Sequence, residues 1–352
     1  METLVNSPFW HGKRVFVTGH TGFKGAWLTA ILHRMGAEVT GYSLPAPTEP
    51  NLFGQLGLAD KIHHIEGDIR DREHLPRAMQ DAKPEILLHL AAQSLVRRSY
   101  HHPLDTFDTN VTGTLNVLEA ARHVECLRAI VSVTTDKCYR NDDTGRLFTE
   151  SDPLGGKDPY SASKAAAEIV SQSYAESFFK DSPVALATAR AGNVIGGGDW
   201  AEDRLIPDVA RAVAAGKSVQ IRNPKATRPW QHVLEPVCGY LLLAERLYSE
   251  GKQFASGWNF GPYASDIQPV GYVLEELQRS FPFTLELDTA PQPHEAKTLG
   301  LDITKAVTEL GWRPRLTLAD AVRWTGEWYN AVHTGESAAA ITEKQISDFL
   351  NA

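Results

Sequence analysis

An acid and an amine stand side by side, Asp136 and Lys137, after two hydroxyls, Thr134 and Thr135, at the end of the apolar run "RAIVSVTT" (128–135). A carboxylic acid can give a proton and a neutral amine can take one, so the pair suits proton transfer. The plainer reading is a strand reaching the surface, where charges are ordinary. A second pairing lies in "PYSASK" (159–164). Tyr160 and Lys164 are four residues apart, so on a helix they share a face. A free phenol titrates near roughly 10. A neighbouring ammonium favours the phenolate and lowers that value, which would make the tyrosine a base for an alcohol. Tyr-x-x-x-Lys is common by itself, and an ordinary surface helix is the competing explanation.

A third motif changes the balance. "VTGHTGFKGAWL" (17–28) spaces Gly19, Gly22 and Gly25 as G-x-x-G-x-x-G between a strand and a helix. Glycines let the backbone turn tightly and approach a pyrophosphate seated on the helix N-terminus. A nicotinamide dinucleotide held there could take a hydride while Tyr160 takes the proton of a sugar hydroxyl. The second strand ends "VTGYSL" (39–44), with no acid where an NAD-type ribose contact usually stands and no arginine following closely to suggest NADP. Asp68 in "EGDIRD" is placed to meet the adenine. The choice between NAD and NADP stays open on these residues, with NAD the expectation.

These groups need positioning, and the first half of the chain alternates strand and helix signals. Strands are expected at 14–19, 38–44, 85–92, 128–135 and 184–191, and helices at 25–36, 109–124 and 160–179. "EILLHLAA" (85–92) is the near-continuous apolar run of a parallel strand covered on both faces. The pattern implies an α/β, doubly wound parallel (Rossmann-type) sheet, with ligands at the carboxyl ends of its strands. That places Thr135, Asp136 and Lys137 where chemistry is expected.

After about residue 192 the alternation loosens. Helices are expected at 207–216, 234–250, 269–280, 303–310 and 318–331, with short strands between. The reading is a dinucleotide-binding domain over 1–191 and a smaller mixed α/β domain over 192–352, with the segment near 229–260 a candidate to return to the first. Gly196, Gly197 and Gly198 serve a turn, Trp230 is a core or stacking residue, and the tail after 333 reads as a loosely docked helix.

Composition narrows the classes. The 352 residues are 42% hydrophobic and 22% charged, those of a globular protein. A net charge of −8 does not favour nucleic acid or an anionic membrane as partner. No run approaches the roughly 20 apolar residues of a membrane span, and the start lacks the apolar core of a signal peptide. Cys126, Cys138 and Cys238 are scattered, and the 13 histidines are dispersed, so neither a disulfide framework nor a metal site is expected. The expected location is the cytoplasm.

In order along the chain, "TGHTGFKG", "LHLAAQS", "NVTGTLNVLEA", "TTDKCY", "PYSASK" and "RAGNVIGGGDW" resemble the extended short-chain dehydrogenase/reductase family over essentially the whole length. That family includes nucleotide-sugar dehydratases and epimerases. "GHTGFKG", "TDKCY", "DPYSASK" and "RPWQHVLEP" together are most similar to members that act on CDP-glucose. The resemblance implies a small-molecule nucleotide sugar as substrate and a homodimer or higher homo-oligomer formed through helices near 104–124 and 160–179. It places Gly19, Gly22 and Gly25 on the pyrophosphate, with His20, Thr21, Phe23 and Ser43 beside the cofactor. Asp68 and Ile69 border the adenine, and Ala91 and Ala92 line the cofactor. Tyr160 and Lys164 become the catalytic couple, Lys164 also reaching the nicotinamide ribose, and Thr135 bonds the hydroxyl being oxidised. Asp136 and Lys137 are left to serve an elimination. Gln93, Ser94, Asn110, Asn193, Arg204 and Arg228 face the substrate, the arginines as diphosphate or base ligands. Many related dehydratases have Glu where this chain has Lys137. A lysine base must be neutral, and a nicotinamide cation and Lys164 nearby favour that form.

Overall fold

In the computed structural model, which describes residues 5–221, 223–287 and 299–351, seven strands form one parallel sheet. They are β1 (Arg14–Thr18), β2 (Glu38–Ser43), β3 (His63–Glu66), β4 (Ile86–His89), β5 (Ala129–Val133), β6 (Ala185–Ala191) and β7 (Gly257–Phe260), in the order β7-β6-β5-β4-β1-β2-β3. The order reverses between β1 and β4, which opens a crevice at their carboxyl ends, the usual ligand position in such sheets. Every residue of β4, β5 and β6 is buried. This explains their unbroken apolar runs: a parallel strand with helices on both faces has no wet side.

Ten helices carry the rest of the argument: α1 (Phe23–Arg34), α2 (His74–Ala82), α3 (Pro103–Phe107), α4 (Gly113–Ala121), α5 (Pro159–Tyr174), α6 (Leu205–Ala214), α7 (Leu234–Glu250), α8 (Val270–Ser280), α9 (Leu318–His333) and α10 (Ala338–Asn351). α2, α4 and α5 pack around one core that includes Leu75, Met79, Val117, Leu118 and Tyr174. α1 and α7 bury Trp27, Ile31, Leu241 and Leu243 in the other. Thus α7 and the edge strand β7 join the first layer, while α6, α8 and α9 build the second lobe with three two-stranded pairs.

Several elements differ from expectation for local reasons. β4 stops at His89 instead of running to Ala92. Leu90 N still donates to Thr18 O at 3.0 Å, but Ala91 N turns to the Thr18 hydroxyl at 3.2 Å. The 109–124 helix begins further back and contains a π turn at Asp108–Thr112, which turns Asn110 inward. The 160–179 helix likewise ends in a π turn, Ala175–Phe179, and the 303–310 helix runs from 304 and closes in the π turn Ala306–Leu310. β3 carries no strand pattern in the sequence, because "HHIE" is short, half polar and at the sheet edge.

The expected loose docking of the tail is not seen. α10 buries Thr342, Gln345, Ile346 and Phe349, and Trp328 Nε1 donates to Thr342 Oγ1 at 2.9 Å. Its apolar residues meet α9 at helical spacing, so the tail belongs to the core. Trp230 is buried, and Gly197 lies where a Cβ would strike the Trp328 ring at 2.0 Å.

Candidate active site

The glycine loop joins β1 to α1. Gly19 has φ +77°, and a Cβ there would stand 2.6 Å from Ala91 N. A Cβ on Gly25 would lie 2.1 Å from Gly19 O. Only glycine allows the two crossings that bring the loop against the end of β4, and the resulting cradle over the α1 N-terminus fits a dinucleotide pyrophosphate. Gly22 is the N-cap of α1 and Phe23 its first residue. His20 is buried and shares a hydrogen bond with His64 (Nε2 to Nδ1, 2.7 Å). Burial, and then His64, push His20 down to about 3. Thr21 shares a hydrogen bond with the Ser43 hydroxyl at 2.9 Å and donates to Leu44 O, so the end of β2 is tied to the loop.

The residues expected beside the adenine are tied together by charge. Arg70 donates to both Asp68 carboxylate oxygens, with NH2 to Oδ2 at 2.7 Å, and to Asp105 at 2.8 Å. Ile69 is buried against Gly113, and Asn116 donates to its carbonyl at 3.1 Å. Ala91 and Ala92 follow β4 at the crevice.

The catalytic candidates converge from two elements. β5 ends at Val133, and Thr135 caps the short 3₁₀ turn Asp136–Cys138. α5 begins with Asp158 as N-cap, accepting from Ser161 N at 2.9 Å, and Pro159 at its first position. Tyr160 and Lys164 therefore sit on the first turns of a well-started helix. Lys164 Nζ donates to Val133 O at 3.1 Å, and the Thr135 hydroxyl approaches that of Tyr160. Thr135 Oγ1 donates to Asp136 Oδ1 at 3.0 Å. Lys137 Nζ reaches Asp136 Oδ1 and Asn193 Oδ1, each at 3.5 Å. Asp136 is fully buried, and its Oδ2 has no partner among the described residues.

One electrostatic expectation is corrected. Tyr160 is not lowered by its lysine: burial pushes it up to about 12, with Thr135 opposing. Lys164 turns its ammonium to a backbone carbonyl and is itself pushed down to about 8 by burial, against Glu168. Desolvation outweighs the pairing that the spacing suggested.

The other substrate candidates divide. Arg204 donates to Ser94 Oγ at 3.0 Å and to Asp199 at 2.9 Å, bringing two of them together across the cleft. Gln93 and Asn110 face each other: Gln93 N donates to Asn110 Oδ1 at 2.8 Å, and Asn110 Nδ2 donates to Gln93 O and Ser163 Oγ, both at 2.9 Å. Their amides hold the β4 loop to α5. Arg228 is buried in the second lobe, in the short strand Thr227–Arg228, and donates to Thr227 O. Among the described residues no cluster of three His, Cys, Asp or Glu could hold a metal ion.

The sequence reading passed over Lys24. It stands on the first turn of α1, close enough to Arg204, Lys164, Asp136 and Lys137 to feel their charges. Burial first, then Arg204 and Lys164, push it down to about 7. Its signal was available: a charged residue inside "GFKG", between two glycines that both face the crevice. Three lysines and an arginine thus share the cleft, Lys24, Lys137, Lys164 and Arg204.

Residues 16–325 match the family described as GDP-mannose 4,6 dehydratase. The chain is 47% identical over 356 residues to the CDP-glucose 4,6-dehydratase of Salmonella typhimurium, covering 99% of each. It is 28% identical to a dTDP-glucose 4,6-dehydratase of Xanthomonas campestris, covering 89% of this chain and 92% of that one. Among solved structures, a UDP-glucose 4-epimerase of Thermotoga maritima superposes with TM-score 0.79 at 22% identity, over 90% of this chain and 99% of that one. A dTDP-glucose 4,6-dehydratase of Streptomyces venezuelae, solved with NAD bound, gives 0.77 at 24% identity, over 92% and 98%.

Proposed function

The chain belongs to the GDP-mannose 4,6-dehydratase family, and from that premise we propose that it dehydrates CDP-glucose to the 4-keto-6-deoxy sugar nucleotide, using NAD. The observation that carries the substrate is the 47% identity, over nearly the full length of both chains, to a CDP-glucose 4,6-dehydratase. The cleft chemistry agrees with it. An epimerase has no use for a proton donor and acceptor beside the oxidation site, and Asp136 and Lys137 stand next to Thr135.

Bound on the glycine loop, NAD supplies a reversible hydride acceptor. Tyr160 takes the proton of the carbon-4 hydroxyl while Thr135 orients that oxygen. Lys164, on the same face of α5 and tied to Val133 O, would reach the nicotinamide ribose. The carbon-4 ketone acidifies the proton on carbon 5. Lys137 takes that proton, and Asp136 protonates the departing carbon-6 hydroxyl, so water leaves. Arg204 and Arg228 neutralise the diphosphate. With NAD held by Gly19, Gly22 and Gly25, the hydride taken from carbon 4 would be given back at carbon 6 while Lys137 returns a proton to carbon 5, so no net oxidant would be consumed.

The proposed setting is the cytoplasm, supported by three free thiols. No described helix is long and apolar enough to cross a membrane. The proposed assembly is a homodimer through α3, α4 and α5.

The test is a panel of CDP-, dTDP-, GDP- and UDP-glucose. A 4-keto product is expected from CDP-glucose, and deuterium placed at its carbon 4 should reappear at carbon 6 of the same molecule. Deuterium returned to carbon 4 with inversion would indicate an epimerase, and reduced cofactor accumulating in step with product would also overturn the reading.

A further inference from the structure

Glu168 lies one turn beyond Lys164 on α5 and has no part in the chemistry above. It is buried, and four donors occupy its carboxylate. Oε1 accepts from the Thr134 hydroxyl, in a short contact, and from Arg190 Nε at 2.9 Å; Oε2 accepts from the Thr188 hydroxyl and from Arg190 NH2, each at 2.7 Å. Thr188 and Arg190 stand on β6, and Thr134 follows β5 directly. The guanidinium continues outward: NH1 donates to Tyr139 OH at 2.8 Å and to Glu150 O at 3.1 Å. Tyr139 OH in turn donates to Asn259 Oδ1 on β7 at 2.7 Å.

A buried ion pair is costly to desolvate and is a weak device for stability alone. Its placement points to registry. Lys164 holds Val133 O and Glu168 holds Thr134, so the last residue of β5 and the one after it are fixed from one helix. The next residue is Thr135, and the helix also carries Tyr160. That strap helps set where Thr135 meets Tyr160. The carboxylate also acts on charge. Lys164 is faced by Glu168 on its own helix, by Cys138 after β5, by His89 on β4 and by Lys24 on α1. Of these, Glu168 is the foremost influence favouring the ammonium against burial.

We propose that Glu168 is a positioning residue of the hydride-transfer step, fixing the end of β5 against α5 and supplying the negative charge that faces Lys164. The kinetic part rests on the dehydratase reading; the effect on Lys164 does not. In Glu168→Gln the side chain keeps its shape and loses its charge. Three measurements apply: single-turnover cofactor reduction against pH, sugar-nucleotide binding, and the Lys164 titration followed by the ¹³Cε shift of labelled lysine. Reduction should slow at least tenfold, with its alkaline limb moved to lower pH because Lys164 gives up its proton more readily. Binding should change less than twofold. Glu168→Gln/Arg190→Met, which removes the guanidinium left unpaired, should keep the shifted limb with a native circular dichroism spectrum. A folded Glu168→Gln or double variant with an unmoved Lys164 titration overturns the proposal, whatever the enzyme turns over. Wild-type protein that forms no 4-keto product overturns the dehydratase reading instead, and the Lys164 titration then decides this one.

Discussion

Asp136 and Lys137 are neighbours in sequence and unequal in surroundings. Asp136 is fully buried, whereas the Lys137 side chain is 29% exposed and lies between Asp136 and Asn193. A group that takes the carbon-5 proton of a bound sugar must reach into the cleft, and the partly exposed lysine is placed to do so. Lys137→Ala is expected to spare the first hydride transfer, seen as the absorbance of reduced nicotinamide, and to slow water loss about 100-fold or more. Exchange of the carbon-5 proton with heavy water should vanish with it. Near-normal exchange in Lys137→Ala would assign the base elsewhere and leave Lys137 to orient Asp136. At this scale the sequence is readable as far as residue type: Tyr160 and Lys164 follow from their spacing, and Thr135 from its place at a strand end. The upward shift of Tyr160 is not, because desolvation depends on what covers the ring, and α5 alone does not say.

At the scale of elements, α7 shows how the second half of the chain is fastened to the first. Its Glu235 lies buried on the first turn, with Oε1 accepting from Arg315 N at 2.9 Å and Leu316 N at 2.7 Å, while Oε2 has no partner among the described residues. Burial pushes this acid up to about 7. The folded state therefore prefers it protonated. Below about pH 4.5 both states hold the proton; between there and 7 the unfolded chain loses it first, so stability falls through that window and stays lower above it. Glu235→Gln keeps an amide oxygen for the two backbone donors and cannot ionise. Its midpoint of thermal unfolding should match the wild type near pH 4 and exceed it at pH 8, by the equivalent of about 3 kcal/mol. Equal pH dependence in the two proteins would sink this account. The helix itself was legible from its apolar spacing, 234–250. Its partner loop at 315–316 was not, since eighty residues separate them and no periodicity spans that gap.

The whole molecule leaves an apolar face uncovered. Leu104 on α3 is 85% exposed and Ile169 on α5 is 58% exposed, with Phe107, Leu115 and Phe178 also exposed on neighbouring turns. An apolar face of this kind suits a second copy. Leu104→Asp/Ile169→Asp should convert a dimer to a monomer in analytical ultracentrifugation, with the sheet intact by circular dichroism. A wild type that sediments as a monomer, or a double variant that stays dimeric, would exclude this face.

What the sequence determined by itself was everything written within a turn or two of chain. The glycine loop, the shared face of Tyr160 and Lys164, and the apolar runs of β4, β5 and β6 follow from spacing, because local backbone geometry sets which side chains point together. Tertiary structure alone decided the meetings: Arg204 with Ser94, 110 residues away; Lys137 with Asn193; Glu168 with Thr134 and Arg190. It also decided the charges. Lys24, Lys164 and Tyr160 take their proton affinities from burial first, and burial belongs to no residue until the sheet, α1 and α5 have closed around it.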